Sequence, residues 1–90
     1  MRVRVVFLGS LRAAAGRKEL EMELPEGAKV SVLLRELSKV TPSLAELMAD
    51  PTPGNLIIVC GVEIGNLQGV ETPLVEGSEV VLVPVTHGGS

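Results

Sequence analysis

Strand-patterned segments stand at both ends of the 90-residue chain, "RVRVVFL" at residues 2–8 and "EVVLVPV" at residues 79–85. In the first, Arg2 and Arg4 share one parity and Val3, Val5 and Phe7 the other, so the charged parity marks a solvent face and the apolar parity a core face. Val6 and Leu8 then fall on the face of the arginines. In the second, Glu79 marks the wet parity, which Val81, Val83 and Val85 share. Two such runs, separated by nearly the whole sequence, belong most simply to the middle of one sheet in which the last strand lies parallel to the first. The outer face of those two strands would then carry Val6, Leu8, Val81 and Val83.

The residues between supply the rest of a single layer pair. "GSLRAAAGRK", punctuated by Gly9 and Gly16, reads as a loop. In "ELEMEL", Glu19, Glu21 and Glu23 alternate with Leu20, Met22 and Leu24, which predicts a second strand with one wet face, stopped by Pro25-Glu26-Gly27. Ser31 is placed to cap a helix in which Val32, Leu33, Leu34, Leu37 and Val40 fall near helical spacing. Thr41 and Pro42 resemble the cap and first residue of a shorter helix to about Met48, followed by a proline-containing loop. "LIIVC" is a continuous apolar run of strand length, read as a strand buried on both faces, and the glycine-punctuated stretch after it leaves room only for a short edge strand and turns. The predicted class is α+β: a mixed sheet with one main helix on one face.

Ninety residues make one domain, which buries about 60–65% of its unfolded surface. Hydrophobic residues are 46% of the chain and Phe7 is the only aromatic, so the core must be aliphatic. A formal net charge of −3, with no cluster of Lys or Arg, argues against nucleic-acid binding. No apolar run approaches a membrane span. A single cysteine cannot close an internal disulfide and no leader pattern opens the chain, so a cytoplasmic setting is expected.

Catalytic constellations are missing from the sequence. Cys60 and His87 are the only thiol and imidazole, and no serine sits in a nucleophile elbow. Cys60, at the end of an apolar run, reads as a small core residue, and one histidine makes no metal site. The expectation is therefore no catalytic residue, no metal and no resident cofactor.

What remains is the ending, "THGGS". Glycine has no side chain, so Gly88-Gly89 can thread a narrow channel and approach a reactive centre closely. A terminal carboxylate, ionised at neutral pH, is a nucleophile that another protein's ATP site can adenylate.

These residues resemble the ubiquitin-like β-grasp sulfur carriers: the small subunit of molybdopterin synthase (MoaD), the thiamine-pathway carrier (ThiS) and the ubiquitin-related modifiers of archaea and eukaryotes. The likeness is specific from Leu56 onward, in "IIVCGVEI", "GVETPLVEGSEVVLVPV" and "THGG". It implies one β-grasp domain over residues 1–90 with a flexible tail at 86–90. It also implies that an E1-like enzyme, supplying ATP at its own site, adenylates Gly89 for conversion to a thiocarboxylate, Gly88 giving access. The docking surface it implies, the exposed face of the central strands, coincides with Val6, Leu8, Val81 and Val83; Val85 and His87 join it toward the tail.

The chain departs from the family pattern at three positions. Cys60 stands where an Asn commonly precedes Gly61, and Ser78 stands where an Asp is common. Ser90 follows the glycines, which makes the Gly89 carbonyl an amide; activation then requires a peptidase to remove Ser90, unless that residue was added for expression. The function expected is a non-catalytic sulfur carrier of the molybdopterin-synthase small-subunit type, with that enzyme's large subunit as a partner. A protein modifier joined to lysines, a tRNA-thiolation carrier and a plain interaction module stand as alternatives.

Overall fold

The computed structural model describes residues 1–44 and 55–84. Strand β1 (Arg2–Phe7) pairs antiparallel with β2 (Glu19–Glu23) and parallel with β5 (Glu79–Pro84). On the other side of β5 lies β3 (Asn55–Val59), antiparallel to it and to the short β4 (Val62–Glu63). The order β2-β1-β5-β3-β4 puts the two terminal strands side by side, parallel and central, as the alternation predicts. One principal helix, α2 (Val30–Val40), and the small α1 (Ser10–Ala15) complete the β-grasp arrangement that the resemblance implies.

The core is one aliphatic cluster. Val3, Val5 and Phe7 of β1, Met22 of β2, Ile57 and Val59 of β3 and Val80 and Leu82 of β5 turn to the helix side. There they meet Val30, Leu33, Leu34 and Leu37, which recur at helical spacing on one stripe of α2. Burying each of these aliphatic side chains contributes about 1.5–3 kcal/mol.

Several local expectations need correction. "SLRAAA" forms α1 rather than a loop: alanine is the best helix former, Gly9 and Gly16 take positive φ at the two ends, and buried Leu11 pins the turn to the core. Lys29, not Ser31, is the N-cap of α2. Val30 is fully buried and must itself be helical, and its amide donates to the Thr72 carbonyl at 3.0 Å, which supplies what a capping side chain would. Val40, predicted on the core stripe, is 55% exposed as the last residue of α2. A 3₁₀ turn at Pro42–Leu44 stands at the start of the predicted second helix, whose remainder lies outside the described residues.

Two further corrections concern β3. It is buried on one face only: Ile57 and Val59 are covered, whereas Leu56 is exposed and Ile58 half-buried. A sheet with a single helical layer covers one face of every strand it contains. Cys60 is exposed and not a core residue. With Gly61 it forms the two-residue loop between the paired Val59 and Val62, at φ 48° and 87°. Positive φ at both central positions is the type I′ pattern, which matches the strand twist and turns this cysteine outward.

Candidate functional site

The open face of the sheet divides into two halves. At the end where β1 and β5 begin, charges pair: Arg4 Nη2 donates to Glu79 Oε2 at 2.6 Å, and Arg2 Nε reaches Glu23 at 3.2 Å and Glu21 at 3.7 Å. At the end where those strands finish, the middle of the same face is apolar, flanked by Glu19 opposite Val6 and Glu63 opposite Ile58. Val6 stands opposite Val81, Val81 opposite Ile58, and Val83 opposite Leu56; Leu8 follows Val6 by two residues. Val6, Leu8, Val81, Val83 and Ile58 are each half-buried, and Leu56 is more open still.

The structure therefore brings the four expected residues Val6, Leu8, Val81 and Val83 together, and adds Leu56 and Ile58. Those two went unread because "LIIVC" looked like a strand covered on both sides. The signal that finds them is strand parity: Leu56 and Ile58 alternate with Ile57 and Val59, and a main helix on one face of the sheet covers only one parity. Val85, His87, Gly88 and Gly89 lie outside the described residues, as does Ser90.

The point from which that segment departs is described. Leu8 donates its amide to the Leu82 carbonyl at 3.1 Å, continuing the parallel ladder from Arg4, whose amide donates to Ser78. Two residues beyond Leu82, Pro84 has no N–H to return to β1, so the ladder stops there. Gly9, at φ 55° and ψ −136°, lies against the proline ring: a Cβ built on Gly9 would stand 2.9 Å from Pro84 Cγ. The absence of a side chain lets the end of β1 and the end of β5 meet closely. The chain thus leaves its last described strand at the apolar end of the open face.

The turn that launches β5 is equally well held. Ser78 is buried, and its Oγ accepts from the Val75 amide at 2.9 Å while its own amide donates to the Val75 carbonyl at 3.0 Å. A hydroxyl performs the turn-closing role for which an aspartate carboxylate also suits. Gly77, in the same turn, donates to the Arg2 carbonyl at 2.8 Å and ties the entry of β5 to β1.

Chemistry-bearing groups are sparse elsewhere. Among the described residues no three His, Cys, Asp or Glu side chains come together as metal ligands. No described helix is long and apolar enough to cross a membrane. Among the described residues the one clear ionisation shift is at Glu36, whose carboxyl is held below its ordinary range by the hydrogen bond from Lys39 Nζ at 2.8 Å and by that ammonium's charge. It lies on α2, away from the open face.

Comparison with known proteins agrees with the fold. The model of the ThiS family matches residues 5–89. No curated protein matches the chain in sequence. Among solved structures, the small archaeal modifier protein 1 of Methanosarcina acetivorans is 28% identical, with 98% of this chain and 96% of that one covered at a TM-score of 0.82. A putative molybdopterin converting factor subunit 1 from Pyrococcus furiosus is also 28% identical, with 96% and 99% covered at 0.80. The Amycolatopsis orientalis BexX/CysO complex contains a chain of the same fold, 21% identical, with 97% and 99% covered at 0.80.

Proposed function

The chain belongs to the ThiS family of small ubiquitin-like carriers and modifiers, which are not enzymes, and from that premise we propose that it carries sulfur on the carboxylate of Gly89. The observation that carries the reading is positional: an uncovered apolar surface lies at the end of the sheet from which the chain runs on to Gly88-Gly89. A surface of this kind is a docking face for an activating enzyme. Gly89 is five residues past Pro84, so an extended segment reaches up to about 17 Å from the body, enough to enter a partner's active site.

In the proposed reaction Ser90 is first hydrolysed away, which frees the Gly89 carboxylate. One carboxylate oxygen attacks the α-phosphorus of ATP bound by the E1-like enzyme, and pyrophosphate leaves. The mixed anhydride makes AMP the leaving group: hydrosulfide attacks the acyl carbon, the bond to AMP breaks, and loss of the sulfur-bound proton leaves the thiocarboxylate. The protein contributes position: Val6, Leu8, Val81 and Val83 hold the partner, Val85 and His87 continue the contact, and the glycines fit where side chains would not. ATP belongs to the partner's site, so the carrier keeps no cofactor of its own.

The likeness to the Pyrococcus furiosus protein supports the molybdopterin-synthase small-subunit role, with the synthase large subunit as the second partner. The likeness to the Methanosarcina acetivorans modifier supports a second reading, in which the activated glycine is joined to a lysine amine. Intact-mass measurement after incubation with the cell's activating enzyme, ATP and a sulfur source tests both. Loss of Ser90 followed by exchange of one oxygen for sulfur supports the carrier; lysine adducts without that exchange support the modifier; an unchanged mass overturns both.

A further inference from the structure

We propose that the outer edge of β2 is a second interaction surface, which takes an extended peptide segment of another protein whose residues alternate between apolar and basic. Strand β2 ends the sheet, and among the described residues no strand pairs with its outer side. The hydrogen bonds at both ends of its pairing with β1 fix which backbone groups point outward. Phe7 donates to Lys18 at 2.8 Å, and Leu24 donates to Met1 at 2.8 Å. In an antiparallel register the bonded pairs alternate, so Leu20 and Met22 turn their N–H and C=O toward β1, and Glu19, Glu21 and Glu23 turn theirs away from the sheet. These outward groups are a template for one more strand.

The two sides of such a strand would meet different surroundings. On the helix side a groove of about 300 Å³ runs between β2 and α2, floored by Leu20 and Met22 and walled by Val40, which is 55% exposed. Lys39 and Glu36 at its rim neutralise one another at 2.8 Å. Apolar side chains fit there. On the open side stand the three glutamates. Glu23 is engaged by Arg2 at 3.2 Å and by the Met1 ammonium at 3.9 Å, Glu21 lies 3.7 Å from Arg2, and Glu19 has no ion pair among the described residues. Lysine or arginine at alternate positions of the incoming strand would complement Glu19 and Glu21. A second copy of this chain is disfavoured as the occupant, since pairing β2 with β2 sets glutamate against glutamate.

The test is titration of the full-length ¹⁵N-labelled chain with an N-acetylated, C-amidated heptapeptide that alternates lysine and valine. Expected are saturable shifts at the amides of Glu19–Glu23 and of Val40. A peptide of the same composition with its lysines grouped should bind at least about fivefold more weakly, because its cross-strand pairs are lost. The E19K/E21K variant should weaken binding by a similar factor and bind the alternating glutamate–valine peptide instead. Glu21→Pro removes an outward N–H without touching the β1 ladder and should abolish binding that Glu21→Gln retains; should the proline variant fail to fold, the charge reversal decides. Absence of saturable shifts, shifts centred on Val6, Leu8, Val81 and Val83, equal binding of the grouped peptide, or self-association through β2 would each overturn the proposal.

Discussion

Gly9 and Pro84 touch so closely that any side chain at position 9 would collide with the proline ring, a built Cβ standing 2.9 Å from Pro84 Cγ. Gly9 also holds φ 55° with ψ −136°, a conformation almost confined to glycine. Gly9→Ala should therefore destabilise by about 1–3 kcal/mol, read as a fall in Tm of roughly 5–20 °C. The G9A/P84A double variant should recover the part due to the collision but not the part due to the backbone. Full recovery would mean that backbone strain contributes nothing.

Leu82 and Val83 are neighbours on β5 that face opposite ways, one fully buried and one half-buried on the open face. Leu82→Ala should cost about 2–5 kcal/mol by leaving a cavity. Val83→Asp should keep the fold and its urea midpoint, yet weaken binding to the activating enzyme at least about tenfold if the patch is the docking face. Undiminished affinity would remove Val83 from the contact.

Cys60 adopts φ 48° at the first central position of its turn, where asparagine is preferred. Cys60→Asn should stabilise by about 0.5–1 kcal/mol, measured by denaturant unfolding with an unchanged m value. Being exposed, the thiol should react with iodoacetamide in the folded protein. A thiol that reacts only after denaturation would contradict this turn.

Glu36 titrates below the ordinary glutamate range because Lys39 donates a hydrogen bond to its carboxylate and attracts its charge. A carboxyl depressed in the folded state adds stability above its unfolded pKa and loses it as pH falls through the folded value. The Glu36 side-chain carbon should show this low midpoint by NMR, and Lys39→Ala should return it toward the ordinary value. The pair is exposed, so the global stability change should be slight.

Most of the sheet was legible because alternation carries its own evidence. Arg2 and Arg4 against Val3, Val5 and Phe7, and the glutamates of β2 against Leu20 and Met22, reveal both strand and face. Parity, together with the central parallel placing of the two terminal strands, puts Val6, Leu8, Val81 and Val83 on one surface. What could not be read locally depends on partners distant in sequence. The Val30 amide at the start of α2 finds its acceptor in Thr72, far along the chain, and Val40 is exposed although the periodicity puts it on the core stripe. Leu56 and Ile58 face away from the buried Ile57 and Val59, and among the described residues the main helix packs on the buried side, which a five-residue window does not contain. Cys60 is exposed for a related reason: Val59 and Val62 pair across Cys60-Gly61 as a hairpin, a contact that the apolar run preceding Cys60 does not reveal.

The parallel pairing of β1 with β5 joins residues such as Arg4 and Glu79 that are separated by nearly the entire polypeptide. The middle of the sheet therefore cannot close until synthesis has passed residue 84, and folding must await the slowest kind of contact to form. A product cut short before β5 lacks the second central strand and leaves the β5-facing edge of β1 unpaired. Topology thus orders the process: a molecule that has closed its sheet has already made the strand that leads into residues 85–90.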